Sequence, residues 1–292
     1  MGAEQDMGKN LSYCGEMVYR EDRERFLSAM TAPPDRREAL FALYAFNHEI
    51  SKTAGVVSEP MLGQIRLQWW REAIEECYAG TPRRHAVVTA LADVIQDVDP
   101  TRSLFEALIE GREQDLDFHP PGTVVDLERY ADLTSGRLTE LALELCLAGQ
   151  DGASGDLRQA ARKIGTAWAM VGLMRALPFH MRARRGMLPR ELAASHGVAA
   201  SDLSEGRNVP GIALAVEEVC AQACALLADA RRVSTRGMPV GSIYGALSIG
   251  VIADSHLKQL RKVNFDVFDV RLAAPPVLRG WSLMIRSLRG RY

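Results

Sequence analysis

The chain has 292 residues, 47% hydrophobic and 25% charged, with a net charge of −2. That is enough apolar material for a sizeable core, in one large domain or two small ones, and too little net charge for a global field that recruits nucleic acid or anionic lipid. Cys14, Cys77, Cys146, Cys220 and Cys224 form no CxxC pair, which speaks against a disulfide framework and for a reducing compartment. The opening MGAEQDMGKNLSY has neither an apolar h-region nor the Arg-rich character of a transit peptide. No window reaches the roughly 18 apolar residues of a membrane span, so a cytoplasmic protein is expected.

Helical periodicity dominates and strand-like alternation is nearly absent, which predicts an all-α fold. Residues 36–79 read as two helices broken at Val57-Ser58-Glu59-Pro60, because proline opens a helix well but cannot sit inside one. In the first, Tyr44, His48, Ser51 and Gly55 are spaced i, i+4, i+7, i+11 and share a face. Leu40, Leu43, Phe46 and Ile50 supply apolar packing around the same turns. Shorter helices are expected over 82–96 and 101–109, followed by an acidic stretch with Glu113, Asp115 and Asp117 and a break at Pro120-Pro121-Gly122.

Residues 123–147 read as one long helix. The next, with Asp156 available as its cap, runs to about 182 through Pro178, which bends it. It carries small residues Gly165, Ala169, Gly172 and Ala176 along one stripe, a pattern that either admits a neighbouring backbone or leaves room for a ligand. A short helix stopped by Gly197, a polar mobile loop over 201–210, long helices over 210–232 and 240–263, and a shorter pair over 266–273 and 276–289 follow. With no linker-like composition, residues 21–292 are expected to form a single helical domain behind an N-terminal extension of residues 1–20.

Two stretches resemble a known family. ALYAF (42–46), with Arg37 before it and LQWW (67–70) after it, is similar to the opening of squalene/phytoene synthases. Arg175-ALPFHMRARRGM-Leu188-Pro189 is similar, without gaps, to the stretch in which those enzymes carry RDxxxD, then Arg, then LP. The resemblance implies an isoprenoid-synthase-like helical fold whose two motif helices face each other across a central cavity. Aligned on it, the aspartates of the first motif fall on Ser51 and Gly55, and those of the second on Ala176 and His180. The vestigial positions expected to line the cavity are Tyr44, His48, Ser51, Gly55, Gly172, Arg175, Ala176 and His180. Mg²⁺ is held through carboxylates, water and phosphate oxygens, so the resemblance predicts no catalytic residue, no metal and no cofactor here; Mg²⁺ enters only if the chain is an enzyme.

Other acidic pairs at i, i+4 (Asp93/Asp97, Glu72/Glu76, Glu128/Asp132, Glu140/Glu144) are explained by solvated faces, leaving Asp115 and Asp117 as the fallback for the missing carboxylates. His48 and His180 occupy equivalent positions on the two motif helices, without a third metal ligand in view. Arg182, Arg184 and Arg185 form a basic run suited to an anion, or an ordinary solvated surface. Leu278, Trp281, Ile285 and Leu288 make a stripe flanked by arginines, which either lies on a membrane surface through 276–292 or covers the core.

YAFNHEI, VSEPMLGQIRLQWWREAIEE and RALPFH further resemble the branch of the family that contains the respiratory complex I assembly factor 6 proteins. That likeness implies a non-catalytic scaffold with a respiratory-complex subunit as protein partner, which would set the expected cytoplasmic protein at the periphery of the inner membrane; the net charge of −2 argues separately for no nucleic acid. The alternatives are a prenyl-lipid-binding protein and an active prenyl-diphosphate condensing transferase.

Overall fold

The computed structural model describes residues 11–150, 152–233, 235 and 240–272, and no strand occurs among them. Ser12 caps α1 (Tyr13–Glu21) by accepting from Gly15 N at 3.0 Å, and Asp22 caps α2 (Arg23–Ala29) by accepting from Arg25 N at 3.1 Å. α1 buries Cys14 and Val18 and packs on α3 (Pro34–Ser51). A helix with a buried apolar face is part of a domain, so the helical body reaches back to Tyr13, inside the stretch expected to be an extension.

After α3 comes the one-turn α4 (Thr53–Val56), then extended backbone at Val57 and Glu59, and then α5 (Pro60–Tyr78), with Pro60 in its first turn. Phe46 of α3 meets Trp70 of α5 edge-on, with ring centroids 5.5 Å apart. It meets Phe105 in the same way at 5.6 Å, and Phe26 stacks on Phe41 at 5.4 Å. Burying each such phenylalanine is worth roughly 1.5–3 kcal/mol.

α6 (Ala86–Val98) and α7 (Arg102–Glu113) follow, and α7 outlasts its expected end because Ile109 and Gly111 are still buried. α8 (Val124–Ala131) opens with a reciprocal cap, Thr123 Oγ1 accepting from Asp126 N at 3.1 Å and Asp126 Oδ2 from Thr123 N at 2.9 Å. The helix expected to be continuous over 123–147 contains a π turn, Asp132–Gly136, before α9 (Arg137–Cys146).

α10 (Gly155–Arg175) is capped by Ser154, which accepts from Leu157 N at 3.2 Å, and not by Asp156. It stops at Ala176, short of the expected 182. Pro178 has no N–H to return to the carbonyl one turn back, and the chain restarts as α11 (Leu177–Arg182). α12 (Arg190–Ser195) ends before Gly197, whose φ of 72° suits glycine. Residues 200–204 form a short helix, α13 (Ala200–Ser204), inside the stretch expected to be a loop. α14 (Pro210–Ala230), α15 (Val240–Leu247) and α16 (Ile249–Lys262) complete the body, the last two dividing at Ser248. A 3₁₀ turn, Val270–Leu272, follows, and the expected helix over 276–289 lies outside the described residues.

α10 is the central post, packed by α9, the π turn, α14 and α16. Gly165 allows this: a Cβ there would run into Ser135 O and Thr139 Oγ1. α14 is long and apolar enough to cross a membrane by length and composition, which the sequence reading did not expect of any segment. Here it lies along α10 with Ile212, Val216, Val219, Cys220 and Leu227 buried, as a core helix does.

Candidate functional site

A cavity of about 340 Å³ opens between α3 and α10. α3 contributes Asn47, His48 and Ser51; α10 contributes Trp168, Ala169, Gly172 and Leu173; α11 contributes His180. Glu21, Asp22, Arg25, Arg112, Tyr130, Thr134 and Ser135 line the rest. The size falls near the lower end of the ~300–1,000 Å³ range of ligand pockets. The π turn brings Thr134 and Ser135 into this lining; local insertions of this kind often accompany functional sites.

The two arginines of the lining are matched in place. Arg25 is buried and donates through Nη1 to Asp22 Oδ2 at 2.8 Å and through Nη2 to Ser135 Oγ at 3.0 Å. Its guanidinium also lies 4.3 Å from the Trp168 ring centroid, a cation–π distance. Arg112 Nη1 donates to Tyr130 Oη at 3.1 Å and to Asp115 Oδ2 at 3.4 Å, and Tyr130 donates to Asp115 Oδ1 at 2.9 Å. Burial pushes the Tyr130 phenol above its ordinary range, so the hydroxyl stays a donor at neutral pH. Burial lowers the His180 imidazole; Asp115 opposes that shift and Arg185 reinforces it. Two buried atoms of the lining residues have no partner, Asn47 Oδ1 and Arg112 Nε.

The eight expected positions separate into two sets. His48, Ser51, Gly172 and His180 line the cavity, with the Ser51 hydroxyl turned back to its own helix and donating to His48 O at 2.9 Å. Tyr44, Gly55, Arg175 and Ala176 lie outside the lining. Tyr44 is buried in the core, with the Arg25 guanidinium 5.8 Å from its ring centroid. Gly55 sits on α4, beyond the end of α3, and is exposed. Arg175 reaches a polar cluster in which fully buried His256 Nε2 lies 2.9 Å from Arg175 Nη1 and 2.7 Å from Glu24 Oε1. Trp168 Nε1 donates to Glu24 Oε2 at 2.9 Å, so this cluster anchors one wall of the cavity. Ala176 is the C-cap of α10, where the helix breaks.

The arginine run disperses. Arg182 and Arg184 are exposed, whereas Arg185 turns inward, donates to Asp115 O at 2.8 Å and covers Phe118. The fallback carboxylates disperse too: Glu113 pairs with Arg71 at 2.7 Å, Asp115 with Arg112 and Tyr130, and Asp117 is exposed. Other acidic pairs have structural partners, Glu72 and Glu76 meeting Arg83, and Glu144 meeting Arg158. Among the described residues no group of three or more His, Cys, Asp or Glu side chains is placed to hold a metal ion. The motif positions themselves offer a hydroxyl, an imidazole, a methyl and a glycine, a donor set that does not fit octahedral Mg²⁺.

A family model for squalene/phytoene synthase matches residues 18–279. The chain belongs to that family. Its likeness to a crystal structure of a dehydrosqualene synthase in complex with ligand extends over 98% of this chain and 97% of that one, at 21% identity and a TM-score of 0.79. The squalene synthase HpnC from Alicyclobacillus acidocaldarius matches at 17% identity and a TM-score of 0.76, over 87% of this chain and 93% of that one. These likenesses concern the fold, which is the isoprenoid-synthase helical fold. In sequence, the chain is 32% identical over 283 residues to NADH dehydrogenase (ubiquinone) complex I, assembly factor 6 of Bos taurus, covering 96% of this chain and 82% of that protein. It is 24% identical over 267 residues to the phytoene synthase of Rhodobacter capsulatus, covering 91% and 76%.

Sequence reasoning missed Arg25, Asn47, Arg112, Tyr130 and Ser135. Asn47 is adjacent to His48 in a word already singled out; Arg25 meets Ser135 across 110 positions of the chain, and Arg112 meets Tyr130 across the Pro120-Pro121 break, pairings that helical spacing does not show.

Proposed function

We propose that this member of the squalene/phytoene synthase family is a non-catalytic protein that assists the assembly or stability of respiratory complex I. One observation carries the reading: likeness to a complex I assembly factor 6 over 96% of the chain, at 32% identity, against 24% to a phytoene synthase. The Mg²⁺-incompatible motif positions support the absence of turnover. A protein partner is supported by the outer face of α4 and α5, where Val56, Met61, Leu62 and Ile65 are exposed beside a groove containing Trp69 and Leu116. The reading includes a cytoplasmic protein, peripheral to the inner membrane and in contact with it through 276–292, that works without a cofactor.

The test is deletion of the gene in its host, followed by native gels for complex I and NADH-dependent quinone reduction by membranes. Both are expected to fall, and to return with the parent protein but not with Met61→Glu/Ile65→Glu. In parallel, purified protein incubated with farnesyl or geranylgeranyl diphosphate and Mg²⁺ is expected to form no condensation product. Unchanged complex I in the deletion strain, or product in the incubation, overturns the proposal.

A further inference from the structure

The groove on the outer face of α5 has a volume of about 630 Å³ and shares no residue with the cavity between α3 and α10. It follows α5 from Gln64 to Glu72, about 12 Å of helix, and is closed on the other side by Glu113 and Leu116 at the end of α7. Its apolar walls are held in place. Leu116 rests against Gly63, where a Cβ would come within 2.2 Å of Leu116 Cδ2. Trp69 is braced edge-on by Trp70 and His85, with the Arg83 guanidinium 5.0 Å from its ring centroid. Met61 and Ile65, 66% and 61% exposed, extend the apolar surface towards α4. A contiguous exposed apolar face of this kind marks an interaction site.

The charge around the groove says what covers it. Arg71 carries two carboxylates, Glu113 Oε1 at 2.7 Å and Glu106 Oε2 at 3.3 Å. Arg83 also carries two, Glu72 at 3.4 Å and Glu76. Each guanidinium therefore leaves one negative charge over. Exposed Glu110 lies on the same face of α7 as Glu106 and Glu113 and adds another. The cationic cluster of α5, Arg66 with Lys52 on Glu49, lies on the α3 side and outside the lining. An acidic rim repels an anionic lipid surface. A second copy docking through the same face would set these carboxylates against their own kind. No strand edge occurs among the described residues for an extended chain to join, and a cleft between two helices takes a third.

We propose that the groove receives a basic amphipathic helix of a partner protein. Apolar side chains one turn apart enter between Ile65, Trp69 and Leu116, and lysine or arginine lies opposite Glu72 and the Glu106–Glu113 face. This rests on the assembly reading only for the partner's being a protein; it adds the partner's chemistry and its place of contact.

The probes are two fluorescein-labelled peptides of about 18 residues, long enough to form a helix. Both have leucine at i, i+3, i+4 and i+7, with lysine elsewhere in one and glutamate in the other. Full-length protein is titrated into each, reading anisotropy. The lysine peptide is expected to bind saturably and at least about tenfold more tightly than the glutamate peptide, by a margin that shrinks as salt rises. Ile65→Ser removes an exposed apolar contact and is expected to weaken the lysine peptide about tenfold. Glu72→Gln/Glu113→Gln is expected to cut the preference to about threefold or less. Glu217→Gln/Glu218→Gln makes the same charge change on exposed α14 positions and is expected to leave the preference intact. Equal affinity for the two peptides overturns the proposal, and so does an equal loss in the α14 variant, which would mean non-specific attraction. Binding to phosphatidylglycerol vesicles that Met61→Glu/Ile65→Glu abolishes overturns it in favour of a membrane surface. A dimer in sedimentation that the same variant splits overturns it in favour of a second copy. The two readings fail separately. Absent peptide preference with complex I lost in the deletion strain refutes the basic helix and leaves the assembly role; unchanged complex I with the preference intact refutes the role and leaves the groove's specificity.

Discussion

α3 and α10 carry the two stretches that resemble the family's motifs, yet they treat their motif positions differently. α3 is unbroken through Ser51 and delivers His48 and Ser51 to the cavity together with Asn47. α10 delivers Ala169 and Gly172 but ends at Arg175, and Pro178 forces a new helix before His180 returns to the lining. Arg175 keeps its place in the sequence pattern and is spent on Glu24 and His256, outside the cavity. Spacing along a helix therefore transfers from relatives only as far as the helix runs without a break.

The largest effect that sharpens this comparison is expected at the packed end of α10. Gly165→Ala pushes a methyl into the backbone of the π turn, where no side chain can yield, and is expected to cost about 3 kcal/mol of stability in urea unfolding. A small cost would mean that α10 and the π turn are not in contact in solution.

Restoring aspartate at Ser51, Gly55, Ala176 and His180 tests whether the break matters. Two of the four positions lie outside the cavity lining, so the variant is expected to form no product from farnesyl diphosphate. Mg²⁺ should stabilise it no more than it does the parent. Added charge in a half-buried site raises carboxylate pKa values and is expected to cost about 2 kcal/mol. Magnesium-dependent stabilisation would show that the break at Ala176 is no obstacle.

At the open end of the same helix, Gly172→Ala meets nothing and removes the entropic cost of glycine. It is expected to gain about 0.5–1 kcal/mol, opposite in sign to Gly165→Ala. The smallest effect concerns pH. Burial holds His180 below its ordinary range, so folding favours the neutral imidazole. Its stabilising contribution is complete above the unfolded pKa of about 6.5 and is lost as pH falls through that value towards the depressed folded one. Relative to His180→Gln, the parent is therefore expected to lose urea stability as pH falls below about 6.5; parallel curves would place His180 in solvent.

The sequence by itself determined the all-α class, the family, the break before Pro60 and the absence of carboxylates at four motif positions. These are local properties: helical period, proline chemistry and residue identity at fixed spacing. The tertiary structure decided which of those positions meet. Lys52 caps α3, so Gly55 falls outside the face its spacing predicted, and Arg175 finds its partners on α2 and α16. The π turn left no periodic trace in the sequence, yet it sets Ser135 beneath Arg25 and demands glycine at 165. Gly165 and Gly172 are indistinguishable in sequence, because what separates them is the presence of a neighbouring backbone beside one and empty space beside the other.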